Sequence, residues 1–464
     1  MSSLRSALAR NAMEARALIA REATSAYARH SGRTISAGAF CADILACAEA
    51  LPEADHVVNL CQDRYQFSVG FFAALIRGQI NLLPTKRDSR TIATLRSQFS
   101  RVRTIIDTAY QDNGGDAIAD HIIAQQPGAQ GTAPTPRQAD APIAAIAFTS
   151  GSTGQPQAHK KAWGLLNQGR RAHAALLPKR PLANHNAVRG LVATVPSWHM
   201  YGLEWALLLP TIAPLQVFCG NDFFPRDVAT ALADFEGSTI LVSTPVHLKA
   251  LLKTRTPPGI DVAVCATAPL AQDLAQTVEQ HLHTELFEVY GCSEVGSLAS
   301  KATAREPHWT FFDSFDRELS GQTLTIRSPL LPAPVELGDA FAAAPDGRFE
   351  LLGRANDIVK IAGKRESLSH LNHIALSIAG VEDAAFFQPS QLGLDDSGRL
   401  GLLLVAPELS QATLKRELAQ RLDSAFMPRP IYQVAALPRE PSSKLPQAAL
   451  AALVNQLRAP GSDR

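Results

Sequence analysis

The chain has 464 residues, too many for one ordinary hydrophobic core, so two or more domains are expected. Its composition, 46% hydrophobic and 19% charged, is typical of a folded protein and excludes an intrinsically disordered chain. Lysine plus arginine (44) nearly balance aspartate plus glutamate (43), and the formal net charge of +1 excludes a global attraction to nucleic acid or an anionic membrane.

Two features of the sequence predict a cytoplasmic protein. Six cysteines are scattered singly with no C-x-x-C pair, which is typical of reduced thiols. Residues 1–30 lack an apolar core of signal-peptide length and are predicted to form an amphipathic helix. No run approaches the length of apolar sequence that a transmembrane helix needs, so none is predicted.

Helical and strand-like stretches alternate over residues 37–83. Strands are predicted at 55–60 and 79–83, on either side of a helix at 67–77. This alternation favours βαβ units and a largely parallel sheet. The Pro- and Gln-rich tract at 126–142 is predicted to be a solvated loop rather than a domain linker.

A glycine-rich turn follows the next predicted strand, at 143–148. Two glycines and four hydroxyl side chains come together in Thr149, Ser150, Gly151, Ser152, Thr153 and Gly154. Such a turn points backbone N–H groups and hydroxyl donors at a phosphate. It is not a Walker loop, because no Lys-Ser or Lys-Thr follows the second glycine. Plain turns carry the same residue types, so the phosphate interpretation depends on motifs further along the chain.

The αβ alternation continues with strands predicted at 191–195, 239–243, 262–266 and 286–290 and a helix at 271–283. Ligands of open α/β sheets bind beyond the carboxyl ends of the strands, so Trp198, His199 and Tyr201 are predicted to line a pocket. Core packing of the two aromatic residues is the alternative.

A carboxylate follows the last of these strands. Glu294 lies just beyond Gly291 and suits Mg²⁺, which prefers one or two carboxylates together with substrate phosphates. An exposed loop glutamate is the alternative. The segment from His281 to Glu285 superficially resembles metal-ligand spacing, but a strand follows directly and no fourth ligand is near, so a solvated helix end is favoured.

Two different structural units are predicted in the C-terminal third of the chain. Residues 319–353 are predicted to form a β-rich subdomain with turns at 338–339 and 346–347. After a break at 355–357, a compact α+β module follows, with Ser367 as a helix N-cap. Its elements are predicted at 358–361, 384–387, 400–405, 411–426 and 431–435.

The predicted fold class is therefore α/β. A large N-terminal domain, residues 1–354, would contain layered αβ subdomains and the β-rich subdomain, and a hinge at 355–357 would lead to a small mobile α+β domain, residues 358–464. Lys444 follows Pro441 and two serines in that small domain. It is either a solvated cation or a charge delivered into the cleft of the other domain.

The ordered series of motifs resembles the superfamily of adenylate-forming enzymes, which includes acyl-CoA synthetases, aryl-acid ligases, peptide-synthetase adenylation domains and luciferases. The resemblance covers about residues 55 to 450 and is carried by 149–154, His199, 267–270, 290–294, 338–339, 353–357, 363–365 and Lys444. It implies that a substrate carboxylate attacks the α-phosphorus of ATP, that pyrophosphate leaves, and that a thiol then attacks the acyl-adenylate. Because two anions must meet, positioning and fixed positive charge would dominate catalysis.

The resemblance implies a nucleotide site in which Tyr290 stacks on adenine. Asp339 would accept hydrogen bonds from the ribose hydroxyls, with Arg354 nearby, and the turn at 149–154 would hold phosphate. The backbone beside adenine would be that of Thr267, Ala268, Pro269 and Gly291.

The resemblance also implies the catalytic groups. Ser293, where the family usually has Thr, would donate to the α-phosphate, and Glu294 would bind Mg²⁺. His199 would lie beside the substrate carboxylate, and Lys444 would bridge that carboxylate and the α-phosphate. Rotation about Asn356, where Asp or Lys is usual, would remove Lys444 and open a path for the thiol.

The chain departs from the family after the phosphate loop, where Gln157 and Ala158 replace the usual Lys-Gly. We hypothesise that Lys160 or Lys161 supplies the missing charge to the β- or γ-phosphate. Ser443 also replaces the usual Gly before Lys444. With the short length, these departures resemble the branch that loads aryl acids onto acyl carrier protein in aryl-polyene pigment pathways such as xanthomonadin biosynthesis.

The expected substrates are therefore ATP with Mg²⁺, an aryl acid such as a hydroxybenzoate, and the phosphopantetheine thiol of an acyl carrier protein. A medium-chain fatty acid or CoA could replace the aryl acid or the carrier. Another alternative is a catalytically silent homologue that binds only a nucleotide or an acyl-adenylate. Gln157 favours it, and retention of Glu294, Asp339, Arg354 and Lys444 argues against it. An α/β hydrolase is disfavoured because no G-x-S-x-G motif is present.

Overall fold

The structure is a computed structural model. It describes residues 16–110, 119–124, 126–140, 142–149, 157–177, 189–220, 224–235, 237–254, 259–354, 357–361, 363–392, 399–439 and 445–458. The α-helices in these ranges are α1 (Ala37–Ala50), α2 (Arg64–Ile76), α3 (Ser89–Gln98), α4 (Trp163–Leu176), α5 (Met200–Gly202), α6 (Pro225–Ala233), α7 (Pro245–Leu251), α8 (Gln272–Leu282), α9 (Leu368–Leu376), α10 (Gln411–Arg421) and α11 (Gln447–Arg458). A π-helix (Leu203–Leu208) continues α5.

The first group of strands is β1 (Arg16–Ala17), β2 (Ala26–His30), β3 (Arg33–Ser36), β4 (His56–Asn59), β5 (Ile80–Leu83), β6 (Val102–Asp107), β7 (His121–Ile123), β8 (Arg137–Gln138), β9 (Ile143–Thr149), β10 (Gln157–Ala162), β11 (Arg189–Ala193), β12 (Leu215–Phe218) and β13 (Thr239–Ser243). The second group is β14 (Val262–Cys265), β15 (Glu285–Cys292), β16 (Gly296–Lys301), β17 (Thr310–Phe311), β18 (Asp316–Ser320), β19 (Thr323–Arg327), β20 (Val335–Ala343), β21 (Phe349–Arg354), β22 (Ile358–Ile361), β23 (Lys364–Ser367), β24 (Asp383–Phe387), β25 (Gly401–Val405) and β26 (Ile431–Gln433).

Two largely parallel sheets form the large N-terminal part. One has six strands in the order β10-β9-β5-β4-β6-β7, in which only the β9–β10 pair is antiparallel. The other has nine strands in the order β17-β16-β15-β14-β13-β11-β12-β2-β3, and its six central strands from β15 to β2 are parallel. The predicted βαβ architecture is confirmed.

Helix α2 lies at the centre of the main hydrophobic core. Its N-cap Asp63 accepts a hydrogen bond from Gln66 N, which starts the helix three residues before the predicted position. Every residue from Arg64 to Leu75 is buried, because α2 packs in one cluster with residues of both sheets and with the π-helix. A helix covered on all sides holds the two sheets in a fixed relation.

The β-rich subdomain is an antiparallel sheet in the order β18-β19-β20-β21. The turn predicted at 338–339 is wrong, since Gly338 and Asp339 lie within β20. A glycine followed by an aspartate is typical of turns, but here a β-bulge between Ala340 and Phe341 accommodates the irregular sequence without ending the strand. The second predicted turn is confirmed at Pro345–Gly347.

The smaller C-terminal part contains the β22–β23 hairpin and a three-stranded sheet in the order β24-β25-β26. Ser367 Oγ accepts a hydrogen bond of 3.0 Å from His370 N, so its predicted N-cap role is confirmed. Two hydrophobic clusters draw only on residues beyond 358. Helix α11 was not anticipated from the sequence. Residues 355–356 lie outside the described ranges, so the hinge and its rotation remain predictions.

The N-terminal prediction is wrong where it can be compared. Residues 16–17 and 26–30 are strands rather than parts of a helix, and β2 pairs with β12 in the nine-stranded sheet. The alanines and arginines of this segment suggested a helix, but burial of Tyr27 and Ala28 against α1 outweighs that preference. All six cysteines are free, as predicted. Among the described helices, none has the length and apolar character required to cross a bilayer.

Candidate functional site

The candidate site lies at one edge of the nine-stranded sheet. The parallel strands β11, β13, β14 and β15 end there, so the segments that follow them are brought together. These segments carry His199 after β11, Thr267 to Pro269 after β14, and Ser293 and Glu294 after β15. We name the part near β14 and β15 the nucleotide end and the part near β11 the acid end, after the roles predicted for these segments from the sequence.

Tyr290 and Asp339 meet at the nucleotide end. The Tyr290 hydroxyl donates a hydrogen bond of 2.5 Å to Asp339 Oδ2, although the two residues belong to different sheets. The Tyr290 ring makes edge contacts with Trp309, Phe341 and Phe349 at centroid distances of 5.8 to 6.4 Å. These contacts and the hydrogen bond fix both side chains before any ligand arrives.

The backbone at Thr267 forms one wall of this end. Thr267 has a φ of 81°, which a β-branched residue rarely adopts, and such strain is typical of functional sites. Thr267 and Pro269 are exposed and Ala268 is half-buried. The loop is anchored because Leu270 N donates to Glu288 Oε1 at 3.0 Å.

The hairpin between β15 and β16 presents Ser293 and Glu294. It is closed so tightly that a Cβ at the exposed Gly291 would lie 2.6 Å from Gly296 O. Ser293 is half-buried, and Glu294 is 39% exposed. A single partly exposed carboxylate suits Mg²⁺ held jointly with phosphate oxygens. Among the described residues, no group of three or more His, Cys, Asp or Glu side chains is arranged for a metal.

Strand β10 faces Glu294 with alternate side chains. His159 Nε2 lies 3.9 Å from Glu294 Oε1, whereas the Lys160 side chain is exposed on the other face of the strand. Desolvation lowers the pKa of His159, and the nearby Glu294 carboxylate partly offsets this. Sequence inspection missed His159, because histidine after a glycine turn has no distinctive spacing.

His199 is positioned by two arginines. It is the N-cap residue of α5 and is half-buried. Buried Arg64 of α2 donates to Ala193 O at 2.8 Å and to Ser197 Oγ at 3.1 Å, which fixes the segment between β11 and α5. The Arg87 guanidinium lies 3.9 Å from the centroid of Trp198, within cation–π range.

The pocket residues predicted beside His199 are partly packed. Tyr201 donates its hydroxyl to Val264 O at 2.8 Å, and Trp198 packs against Phe67 at a centroid distance of 6.2 Å. Both side chains are half-buried. The sequence analysis did not identify Arg64 or Arg87 as supporting residues. An arginine at the start of an otherwise apolar helix could have indicated Arg64.

A buried polar cluster lies beyond His199. Glu204, in the π-helix, accepts hydrogen bonds from Ser297 N at 3.1 Å and Ser297 Oγ at 2.5 Å. His173 Nε2 of α4 lies 4.0 Å from Glu204 Oε2. The Lys161 side chain is fully buried, and its Nζ has no hydrogen-bond partner in the part of the chain that is described.

Burial shifts the pKa of each ionisable group in this cluster. Desolvation lowers the pKa of Lys161 to about 8 and that of His173 to about 3, and it raises that of Glu204. Sequence inspection missed Glu204 and His173. A single carboxylate inside the apolar run 203–209 was the indication that could have revealed the cluster.

Several predicted residues cannot be placed. Residues 150–154, Asn356, Ser443 and Lys444 lie outside the described ranges. For Thr149 and Arg354 only the backbone is described. Thr149 ends β9, and Arg354 is the cross-strand partner of Asp339. The roles assigned to these residues therefore remain predictions.

A cleft of about 670 Å³ lies elsewhere, between α4 and the β-rich subdomain. Arg171, Asp313 and Arg327 are among the residues that line it. None of the predicted site residues that the structure describes contributes to its wall. The candidate site is therefore defined by the ends of the strands and not by this cleft.

Comparisons with known proteins agree with this geometry. The sequence matches the model of the AMP-binding enzyme family over residues 8–335. It is 27% identical over 307 residues to a 4-coumarate–CoA ligase of Cereibacter sphaeroides, covering 64% of this chain and 69% of that protein. It is 26% identical over 383 residues to a fatty acid–[acyl-carrier-protein] ligase of Mycobacterium marinum, covering 70% of each.

The fold is also found among solved structures. The o-succinylbenzoate coenzyme A synthetase of Bacillus subtilis in complex with ATP and magnesium ion superposes with a TM-score of 0.73 and 16% identity, covering 91% of this chain and 95% of that one. The predicted α/β class with a large N-terminal and a smaller C-terminal domain is thereby confirmed. Because the family match spans well over half of its length, the chain belongs to the AMP-binding enzyme family of adenylate-forming acid–thiol ligases.

Proposed function

We propose that this protein adenylates an aryl acid with ATP and transfers the acyl group to the phosphopantetheine thiol of an acyl carrier protein. The observation that carries the proposal is the prearranged pair of Tyr290 and Asp339, at the strand ends where a nucleotide would bind, with Glu294 four residues after Tyr290 in the hairpin that follows. A silent nucleotide binder would need no metal carboxylate, so the retained Glu294 favours catalysis.

Each group at the nucleotide end has a physical task. Tyr290 would offer an immobilised ring to adenine, and the Asp339 carboxylate, oriented by the Tyr290 hydroxyl, would accept hydrogen bonds from the ribose hydroxyls. The turn at 149–154 and Ser293 would donate hydrogen bonds to the phosphates. Glu294 would hold Mg²⁺, which supplies positive charge to the phosphate oxygens when bound.

The acid end would orient the attacking carboxylate. His199 is held by the Arg64-anchored segment, so a carboxylate bound beside it would meet the α-phosphorus in a fixed direction. Lys444 would lie between the two anions during adenylation. Departure of its domain would then admit the thiol, and one cleft would serve both half-reactions.

The relatives support the choice of substrates. One acts on 4-coumarate, an aryl acid, and another is named for an acyl-carrier-protein acceptor. Carrier proteins and CoA present the same phosphopantetheine thiol, so the second half-reaction has the same chemistry with either. A medium-chain fatty acid remains the alternative acid, because the second relative is a fatty acid ligase.

The proposal is tested by acid-dependent exchange of pyrophosphate into ATP with purified protein. Hydroxybenzoates and medium-chain fatty acids are compared in parallel, and thioester formation is then followed with holo-acyl carrier protein and with CoA. We expect exchange with hydroxybenzoates and faster transfer to the carrier protein. Exchange with fatty acids alone would replace the aryl assignment, and nucleotide binding without exchange on any acid would contradict the ligase itself.

A further inference from the structure

The acid end contains buried polar atoms that lack partners. We name Lys161, His173, Glu204 and Ser297 the distal cluster. Within the described residues, no hydrogen bond is made by Lys161 Nζ, by either ring nitrogen of His173, or by Nε1 of the adjoining Trp205. Folded proteins satisfy most buried polar groups, so several unpaired atoms in one place indicate a missing polar partner.

Glu204 is held in place as a binding group would be. Ser297 donates to it with both its backbone N–H and its hydroxyl. Gly296 has a φ of 110°, and a Cβ there would collide with Glu204 Oε1. Glu204 also lies in the π-helix Leu203–Leu208, a distortion found frequently at functional sites. The local structure therefore accommodates a buried carboxylate at this position.

The ionisable groups of the distal cluster do not contact one another directly. Lys161 Nζ makes no hydrogen bond to Glu204, and His173 Nε2 stays 4.0 Å from Glu204 Oε2. A buried ammonium and a buried carboxylate held apart are costly unless a group bridges them. A hydroxyl suits this gap, because its oxygen accepts from an ammonium while its O–H donates to a carboxylate.

The distance along the chain fits a single aromatic ring. Glu204 follows His199 by five residues on one helical segment, which corresponds to about 7 Å of helical rise. A benzoic acid with its carboxylate beside His199 would reach the distal cluster with its para substituent. We propose that Glu204 and Lys161 bind a hydroxyl group opposite the carboxylate, so that the substrates are 4-hydroxylated aromatic acids.

This inference rests on the proposed function, which supplies the position of the carboxylate. The wild-type protein gives the first test, through pyrophosphate exchange with 4-hydroxybenzoate and with 4-methylbenzoate. The methyl group has the size of a hydroxyl and forms no hydrogen bond. We expect kcat/KM to be higher for the hydroxy acid by about 10²-fold or more, because a site built to hydrogen-bond a hydroxyl rejects the analogue without it.

Equal rates with the two acids, or a preference for the methyl acid, would overturn the inference. Exchange with fatty acids but with neither benzoate would also overturn it while leaving the ligase function standing. Absence of exchange with every acid would contradict the proposed function instead. The two failures are therefore distinguishable, and neither depends on a variant that must fold.

Variants then assign the discrimination to the distal cluster. Glu204→Gln and Lys161→Met should each reduce the ratio of kcat/KM between the two acids to about tenfold or less, mainly by slowing the hydroxy acid. Asp43→Asn is the matched control, since Asp43 is also a buried carboxylate, with Tyr65 and Gly128 as donors, and belongs to neither end of the candidate site. It should keep the wild-type ratio. An unchanged ratio in either cluster variant that folds would contradict its assignment.

Discussion

The two ends of the candidate site differ in how their polar groups are satisfied. At the nucleotide end, Tyr290 and Asp339 are hydrogen-bonded to each other and the loop after Thr267 is anchored on Glu288. At the acid end, Lys161 and His173 are buried with no hydrogen bond to any described residue. On the proposal made above, the protein itself completes the first end and the hydroxyl of the acid would complete the second.

This difference has an energetic meaning. A prearranged hydrogen bond costs little when a ligand arrives, because the ordering of the side chains was completed on folding. Unsatisfied buried groups destabilise the free protein instead, and they recover that free energy only with a partner of the right chemistry. We therefore expect ATP to bind with little adjustment and the acid to provide most of the selectivity.

The largest expected effect comes from the cation that would act between the two ends. Lys444→Ala should lower adenylation by roughly 10²- to 10³-fold, the scale for loss of one prearranged transition-state contact. Pyrophosphate exchange measures this step. Thioester formation from chemically prepared acyl-adenylate should persist, because Lys444 would have left the site by then. Exchange at the wild-type rate would contradict the role assigned to this lysine.

The next effect is on stability and is confined to the acid end. Burial lowers the pKa of His173 to about 3 from its ordinary value of 6.5, so the folded protein binds fewer protons than the unfolded chain between these values. Neutral His173 therefore makes its full contribution to the free energy of unfolding above pH 6.5, and this contribution is lost as the pH falls towards 3. The loss between pH 6.5 and 5 is about 2 kcal/mol.

His173→Phe removes this proton site and keeps a ring stacked on Trp205. Urea denaturation at several pH values should show that the unfolding free energy of the variant falls less steeply on acidification than that of the wild type. Glu204 has a raised pKa and so loses its contribution as the pH rises, but it is present in both proteins and largely cancels. If the unfolding free energies of the variant and the wild type fell equally steeply on acidification, His173 would be solvated or paired in the folded protein.

Much of the fold could be predicted because short apolar runs between polar residues define buried strands. Strands β5, β9 and β13 match the expected ranges closely. The errors occur where tertiary contacts outweigh local preference. Gly338 suggested a turn but lies in a bulged strand, and residues 26–30 suggested a helix but complete the nine-stranded sheet.

The candidate site divides in the same way. Tyr290 and Asp339 are 49 residues apart, yet each belongs to a motif, so the resemblance predicted that they would share one site. Glu204 and Ser297 are 93 residues apart, and neither belonged to a motif with an assigned role. Outside such motifs no sequence pattern relates two distant residues, so only coordinates bring Glu204 and Ser297 together.

A smaller effect is expected from the hydrogen bond that fixes Asp339. Tyr290→Phe keeps the ring but removes its donor to Asp339 Oδ2, so the carboxylate loses its fixed orientation. The KM for ATP should rise about five- to tenfold, which corresponds to roughly 1 kcal/mol, the usual net contribution of one hydrogen bond. Kinetics at varied ATP measure this. The KM for the acid should stay constant, and a rise in that constant alone would place Tyr290 at the other end.

The smallest effect concerns the replacement for the missing phosphate-loop lysine. Lys160 is exposed on β10, so any attraction to the β- or γ-phosphate acts through solvent and is weak. Lys160→Ala should raise the KM for ATP by about threefold at low ionic strength, and the difference from wild type should shrink at high salt because exposed charges are screened. Lys160→Arg keeps the charge and should behave as wild type. Since Lys161 belongs to the distal cluster, its loss should change the choice of acid more than the KM for ATP. An unchanged KM for ATP in Lys160→Ala at low salt would remove Lys160 from the nucleotide end.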